Sequence, residues 1–315
     1  MPDLEDIRAF VAVLDAGGLS RAADRLGVSK SVISRRVGRL EEGLGTRLIH
    51  RTTRGLSATE AGEDFKARAE RILADLDEAV DAVARQQGEI AGRLRVALPL
   101  SFGIRHGAPL LAELARAHPR LEIEAAYSDR FVDLVAERFD CALRVGRLTD
   151  SSLIARRIAP IHSVLVASPA YLAAAGTPAT PEDLAGHEGL IYTGGSERDV
   201  WHLRTGRRTV SVRPKARFQA DSGDALLTAA IAGLGIAPIP RFLASDAIES
   251  GQVVPILTDC ALPEAALHAV RPPGPHVPAR VRLFFDAAAD RFGHEPDWDR
   301  CARRILEREA LIPGA

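Results

Sequence analysis

Lysine is nearly missing from this chain. Of its 41 lysines and arginines, only Lys30, Lys66 and Lys215 are lysines, so positive charge rests almost wholly on guanidinium groups. Cysteine is as scarce: Cys141, Cys260 and Cys301 are odd in number and widely spaced. That argues against a disulfide framework or a cysteine metal site and fits a reducing compartment. No run of ~20 apolar residues exists, so no membrane-spanning helix is expected. The opening MPDLEDIRAF is acidic and lacks the basic-then-apolar order of a signal peptide, which predicts a cytoplasmic location. The nucleophile elbow G-x-S-x-G, the phosphate loop G-x-x-x-x-G-K-[ST] and a G-x-G-x-x-G after a strand are all absent. The nine histidines show no H-E-x-x-H spacing. No cofactor and no metal are expected, and an enzyme on an α/β scaffold is kept only as an alternative.

Leu19 to Gly38 is the most informative stretch. Leu19, Ala22, Ala23 and Leu26 recur at helical spacing and mark one buried stripe. Gly27 supplies a left-handed turn, and Ser29 is placed to cap a second helix from Lys30 to about Glu42. Val32, Ile33, Val37 and Leu40 face inward on it. Lys30, Ser31, Ser34, Arg35 and Arg36 are left outside near its N-terminal half. In a helix-turn-helix that half enters the major groove, where Arg, Lys and Ser meet base edges and phosphates. The alternative is an αα-hairpin with a solvated basic face.

Charge separates the two. Residues 20 to 54 hold nine basic residues, among them Arg21, Arg25, Arg39, Arg47, Arg51 and Arg54, against only Asp24, Glu41 and Glu42. The whole chain has a net charge of -1. A local positive patch on an otherwise acidic protein is the footprint of nucleic-acid binding.

The run FVAVLDAGGLSRAADRLGVSKSVISRRVGRLEEGLGTRLIHRTTRGLSATEAG resembles the N-terminal signature of LysR-type transcriptional regulators, over about residues 4 to 62. The AA-x-x-L-x-V-S-x-S-x-x-S-R core, the LE-x-x-LG run and the R-T-x-R…T-x-AG tail fall in order. Gly18, Ile49-His50 and Ala58 depart from the common pattern at packing positions. The resemblance implies a winged helix-turn-helix. A first helix, Leu4 to Ala16, packs behind the reader pair. Two short strands between Leu48 and Ala58 form a wing with Arg51, Thr52 and Arg54 at its tip.

From Thr59 to about Gly88 the pattern is one long helix. Phe65, Ala69, Ile72, Leu76, Ala79 and Val83 are spaced alternately four and three apart, a heptad seam that wants a partner helix. A homodimer or homotetramer built on this helix is expected, with two readers on two half-sites.

Beyond a hinge at Gly88 to Arg93, strands and helices alternate, which predicts an α/β domain with a mainly parallel sheet. The expected strands are Leu94–Leu100, Leu121–Tyr127, Asp140–Val145, Leu153–Ala159, His162–Ala167, Ile236–Ile239 and Ala269–Arg271. The expected helices are Gly107–His118, Arg130–Phe139, Ser222–Ala232, Arg241–Glu249 and Pro278–Phe292. The resemblance implies a type 2 periplasmic-binding-protein fold, with two α/β lobes around an effector cleft. The domains are then 1–58 (reader), 59–92 (linker), 93–295 (effector domain) and 296–315 (tail). Lobe one is 93–163 plus 269–295 and lobe two is 164–268. The tail, with Trp298 and Cys301, has no assigned role.

In open α/β sheets, ligands bind beyond the carboxyl ends of strands and at helix N-termini. Ser101, Phe102, Gly103, Ser128, Asp129, Thr193 and Asp221 occupy such joins and are the candidate effector residues. Helix capping is the other reading of each Ser and Asp. Arg144 and Arg147 suit an anionic effector, or pairing with Asp140 and Asp150. The function expected is a sequence-specific DNA-binding regulator controlled by a small molecule. Its partners are double-stranded DNA and an unidentified effector, with RNA polymerase a further candidate. Thiol sensing at Cys141 or Cys260 is the alternative signal.

Overall fold

The computed structural model describes residues 2–52, 55–86, 90–130, 132–146, 153–194, 199–274, 277–293, 296 and 298–299. Three helices open the chain: α1 (Leu4–Ala16), α2 (Leu19–Leu26) and α3 (Lys30–Leu44). Asp3 caps α1 by accepting from the Glu5 amide, and Ser29 Oγ caps α3 by accepting from the Val32 amide at 3.4 Å. Gly27 turns the chain between α2 and α3 at φ +63°, a left-handed conformation that glycine adopts cheaply. Ala22 and Ala23 are small enough to let α2 lie close over Phe10, Val13, Ile33, Val37 and Leu40, and these residues form one buried core. β1 (Ile49–Thr52) and β2 (Gly55–Ala58) pair antiparallel as the wing. α4 (Glu60–Gln86) then runs for 27 residues, about 40 Å at the usual rise.

Two lobes follow. The first holds β3 (Gly92–Leu98), α5 (Leu100–Phe102), a π turn (Gly103–Gly107), α6 (Ala108–Ala117), β4 (Leu121–Tyr127), β5 (Cys141–Gly146) and β6 (Ile154–Ile161). The second holds β7 (Ser163–Ala167), α7 (Pro169–Ala175), β8 (Glu188–Tyr192), β9 (Trp201–Thr205), β10 (Arg208–Val212), β11 (Lys215–Ala220), α8 (Gly223–Ile231), β12 (Ala237–Pro240), α9 (Arg241–Glu249) and β13 (Val254–Ile256). β14 (Ala265–Arg271) and α10 (Ala279–Phe292) return to the first.

The lobes share one plan. Lobe one has strand order β4-β3-β5-β14-β6, all parallel except β14. In lobe two a parallel bridge from Gly189 to Ile236 joins β11-β8 to β12-β7-β13, again with one antiparallel member, β7. In each sheet the antiparallel strand is the one that arrives from the other lobe. The crossings therefore fall at His162 and between β13 and β14. The whole of β14 pairs with β5 and β6, so the return crossing precedes Ala265, earlier than the boundary at 269 read from the sequence.

Other expectations also change. Of the helix expected over Arg130–Phe139, the described residues 132–139 form a tight turn instead. Asp133 Oδ1 takes the Val135 and Ala136 amides at 3.0 Å each, and Arg138 adopts φ +65°, which ends any helical path. The helix expected from Gly107 begins at Leu100, whose amide is capped by Asp129 Oδ1 at 2.8 Å. The hairpin β9–β10 and the strands β11 and β13 add to the expected elements.

Candidate DNA-reading head and inter-lobe cleft

On α3, Lys30, Ser31 and Arg35 are exposed and Ser34 is half-buried. Ser31 Oγ lies 2.8 Å from the capping Ser29 Oγ, so the first turn of the helix is held in place. Arg36 and Arg39 turn toward α1. Arg36 pairs with Glu5 at 3.1 Å, and Arg39 donates to the buried Asp6 at 2.6 Å. Arg36 is thereby committed to holding the two helices together rather than standing clear of the surface. Arg39 keeps half its side chain exposed. Arg21 is exposed and donates back to the Gly17 carbonyl at 2.8 Å.

The wing is fixed to α3 by a residue that the sequence reading passed over. Glu41 Oε1 accepts the Leu48 and Ile49 amides at 2.8 and 3.1 Å. Thr59 Oγ1 donates to the Arg47 carbonyl and accepts from the Gly62 amide, joining wing to α4. Arg51 and Thr52 lie in β1, and Arg54 is outside the described residues.

The expected seam on α4 divides in two. Phe65 and Ala69 pack on the reader's own core, with Ala69 buried and the Phe65 ring against Phe10. They are taken up within the chain and are not free for a partner helix. Ile72 is 53% exposed, Leu76 is half-buried and Ala79 is exposed. The Val83 side chain is outside the described residues.

Between the lobes lies a cleft of about 1020 Å³. Ser101, Phe102, Ser128 and Asp129 line it, as does Arg144. Gly103, Thr193 and Asp221 do not. Gly103 is buried where a Cβ would meet Leu98 and Tyr127, so its role is close packing. The Thr193 amide completes a strand bond to Ala220, and Asp221 is exposed beyond β11. Ser101 donates to Asp224 of lobe two at 2.5 Å, so it joins lobes as well as facing the cleft.

Sequence reasoning missed Tyr192, His202 and Phe242, which also line the cleft, as does Arg130 beside Asp129. Tyr192 ends β8 and could have been found by the strand-end rule. His202 sits on β9, announced by the Gly206 turn between two alternating runs. Cys301, Arg147 and Asp150 lie outside the described residues.

Burial pushes the Asp129 carboxyl above its usual range, outweighing the Leu100 amide, and Asp224 and Asp221 add to it. Burial and the carboxylates of Asp129 and Asp221 push Tyr192 up to about 12. Both side chains therefore present neutral or hydrogen-bonding forms to the cleft more readily than free ones do. Arg144 donates to the Val132 carbonyl at 2.7 Å, and burial lowers its pKa. Val132 opens the turn that ends in Arg138. Arg138 reaches the reader, donating to the Asp24 and Arg21 carbonyls at 2.8 and 3.3 Å. Cleft and reading head are thus in contact through one short segment.

Burial raises the Cys141 thiol well above its usual pKa, and burial likewise raises Cys260. Neither has the thiolate character of a reactive sensor. Among the described residues there is no cluster suited to a metal ion, and no helix is long and apolar enough to cross a membrane.

A winged helix-turn-helix carried on a long helix, with a two-lobed cleft domain behind it, defines a DNA-binding transcriptional regulator. The family models agree part by part. Residues 4–63 match the bacterial regulatory helix-turn-helix protein, lysR family, and residues 87–293 match the LysR substrate binding domain. The chain belongs to the LysR-type transcriptional regulator family. The regulator PtxR of Pseudomonas aeruginosa is 35% identical over 294 residues, spanning 93% of this chain and 94% of its own. CrgA of Neisseria meningitidis serogroup C is 34% identical over 92% of this chain and 97% of its own. A solved CrgA structure, 33% identical, aligns at TM-score 0.58 over 91% of this chain and 97% of that one. Full-length AphB of Vibrio cholerae, 30% identical, aligns at 0.57 over 91% and 99%.

Proposed function

We propose that this regulator binds an operator as a homodimer or dimer of dimers and that a small organic effector in the inter-lobe cleft sets its output. The proposed parts are a reader (1–58), a linker (59–92) and a two-lobed domain from residue 93, with the return crossing before 265. Lys30, Ser31, Ser34 and Arg35 read bases. Arg21, Arg39, Arg51, Thr52 and Arg54 meet phosphates and supply most of the affinity. The α4 surface from Ile72 onward, with Leu76, Ala79 and Val83, is the proposed seam between chains. RNA polymerase is a further proposed partner, and the cytoplasm the proposed location.

Effector control is supported by the line of contacts from Arg144 through Val132 to Arg138 and α2. A ligand that binds one lobe setting better than another shifts that population, and the shift reaches the reader along this segment. Ser128, Asp129, Arg144 and Tyr192 are the proposed polar contacts. The raised pKa of Asp129 suits a ligand that accepts a hydrogen bond from its protonated carboxyl.

The test is a thermal-shift screen of the full chain against small metabolites. A ligand at ~100 times its Kd stabilises the protein by ~2.7 kcal/mol. The hit is expected to lose its effect in Arg144→Ala and to change the DNA affinity of the native chain. A hit indifferent to Arg144 and Asp129 would place binding elsewhere.

A further inference from the structure

After α10, Trp298 and Asp299 are packed into the molecule. Trp298 is 7% exposed and Asp299 4%. The indole ring centroid lies 4.5 Å from that of His106, 5.5 Å from Phe102 and 5.8 Å from Phe292, all in lobe one. It also lies 6.3 Å from Phe242, on α9 of lobe two. The Trp298 carbonyl accepts from Ser245 Oγ at 3.4 Å, and Asp299 faces Arg241 at 3.7 Å. Both of these partners are again on α9.

The same seam carries other bonds between lobes. Arg105, in the π turn, pairs with Asp224 at 3.0 Å and Asp246 at 3.6 Å, and Ser101 donates to Asp224. A π turn widens a helix by one residue and often marks a functional position. Here it presents Arg105 to lobe two and His106 to the indole. Phe102 and Phe242 touch each other edge-on at 5.3 Å, line the cleft, and flank Trp298. The match to the family's substrate-binding model ends at residue 293, before Trp298.

We propose that Trp298 and Asp299 form a clamp that holds the two lobes in one setting, with Trp298 as its wedge. Separating α5 from α9 must strip the indole from one of its two faces, and aromatic contacts of this kind carry energy beyond their buried area. Trp298 and Asp299 therefore set how easily the lobes part. Because Phe102 and Phe242 are shared, a ligand that moves either ring in the cleft also works on the clamp. The proposal concerns lobe setting in the same cleft assigned above to the effector, and its test uses no effector. The two can therefore fail separately.

The experiment measures the distance between lobes in the full chain. Spin labels go at Arg116→Cys on α6 and Gln252→Cys beyond α9, in a background with Cys260→Ser and Cys301→Ser. Dilution with unlabelled chains restricts the reading to pairs within one chain. The native chain is expected to give one narrow distance distribution. Trp298→Ala is expected to shift it to longer distances or add a longer population, and Trp298→Phe to keep it narrow. Should Trp298→Ala not fold, Asp299→Asn, which weakens the pair with Arg241, is read in the same way. An unchanged distribution in a folded Trp298→Ala or Asp299→Asn chain overturns the proposal.

Discussion

The rings of Phe10 and Phe65 meet edge-on, 5.6 Å apart at an interplanar angle of 61°. This contact makes the start of the linker helix part of the reader's core, and Lys66 supports it through an ion pair to Asp15 at 2.8 Å. Phe65→Ala should therefore lower reader stability by about 2 kcal/mol, a modest value because the ring is only half-buried. Ile72→Ala, at an exposed position on the same helix, should leave stability unchanged and weaken self-association. Urea unfolding and sedimentation equilibrium measure the two effects. Equal loss of stability in both variants would mean that the helix is packed on its own chain along its whole length.

Asp129 gives a pH prediction of definite sign. Its folded pKa is raised, so the charged carboxylate is disfavoured in the fold. The resulting contribution to stability is fully present below the unfolded pKa and is lost as pH rises through the folded one. Asp129→Asn should thus raise the melting temperature at neutral pH, and the gain should vanish near pH 4. Because the residue is only about half-buried, the gain stays below about 1 kcal/mol. Asparagine can still accept the Leu100 amide. Melting curves of both chains between these limits check it, and a destabilised variant at neutral pH would show that the charge is favoured where it sits.

Gly62 tests packing against propensity. It lies in the first turn of α4, where alanine should gain about 1 kcal/mol. A Cβ there would run into the Leu48 carbonyl oxygen, which is backbone and cannot step aside cheaply. Overpacking of this kind costs about 1–3 kcal/mol, so Gly62→Ala should be destabilising on balance. It should also loosen the wing, since Leu48 leads into β1. Thermal unfolding with a DNA titration reads both.

Much of the architecture was legible because it is local. The caps at Ser29 and Gly27 and the stripe on α3 are written within a few residues, and the helices α8, α9 and α10 keep their period. What was not legible depends on distant partners. Arg36 reads as an outward cation until Glu5 folds beside it. Phe65 and Ala69 fit a heptad seam equally well whether their partner is another chain or α1. The turn at 132–139 has the composition of a helix, but Asp133 binds its own neighbouring amides first. In the cleft, strand-end reasoning located Ser128 and Asp129. It mistook Gly103, which packs under Leu98 and Tyr127. It had no access to Phe242 or Trp298, whose roles arise only when the lobes close on each other.

In the proposed function α3 reads DNA through Lys30 and Arg35, while Arg36 serves α1. Fluorescence anisotropy with double-stranded DNA from upstream of the gene, and a scrambled control, tests it at two stated salt concentrations. The native chain should prefer its own DNA, with affinity falling as salt rises. Arg35→Ala should lose about 1–3 kcal/mol of that preference. Arg36→Ala should lower reader stability and leave base preference intact. Equal binding to both DNAs by the native chain, or an Arg35→Ala chain with undiminished preference, would contradict base reading by α3.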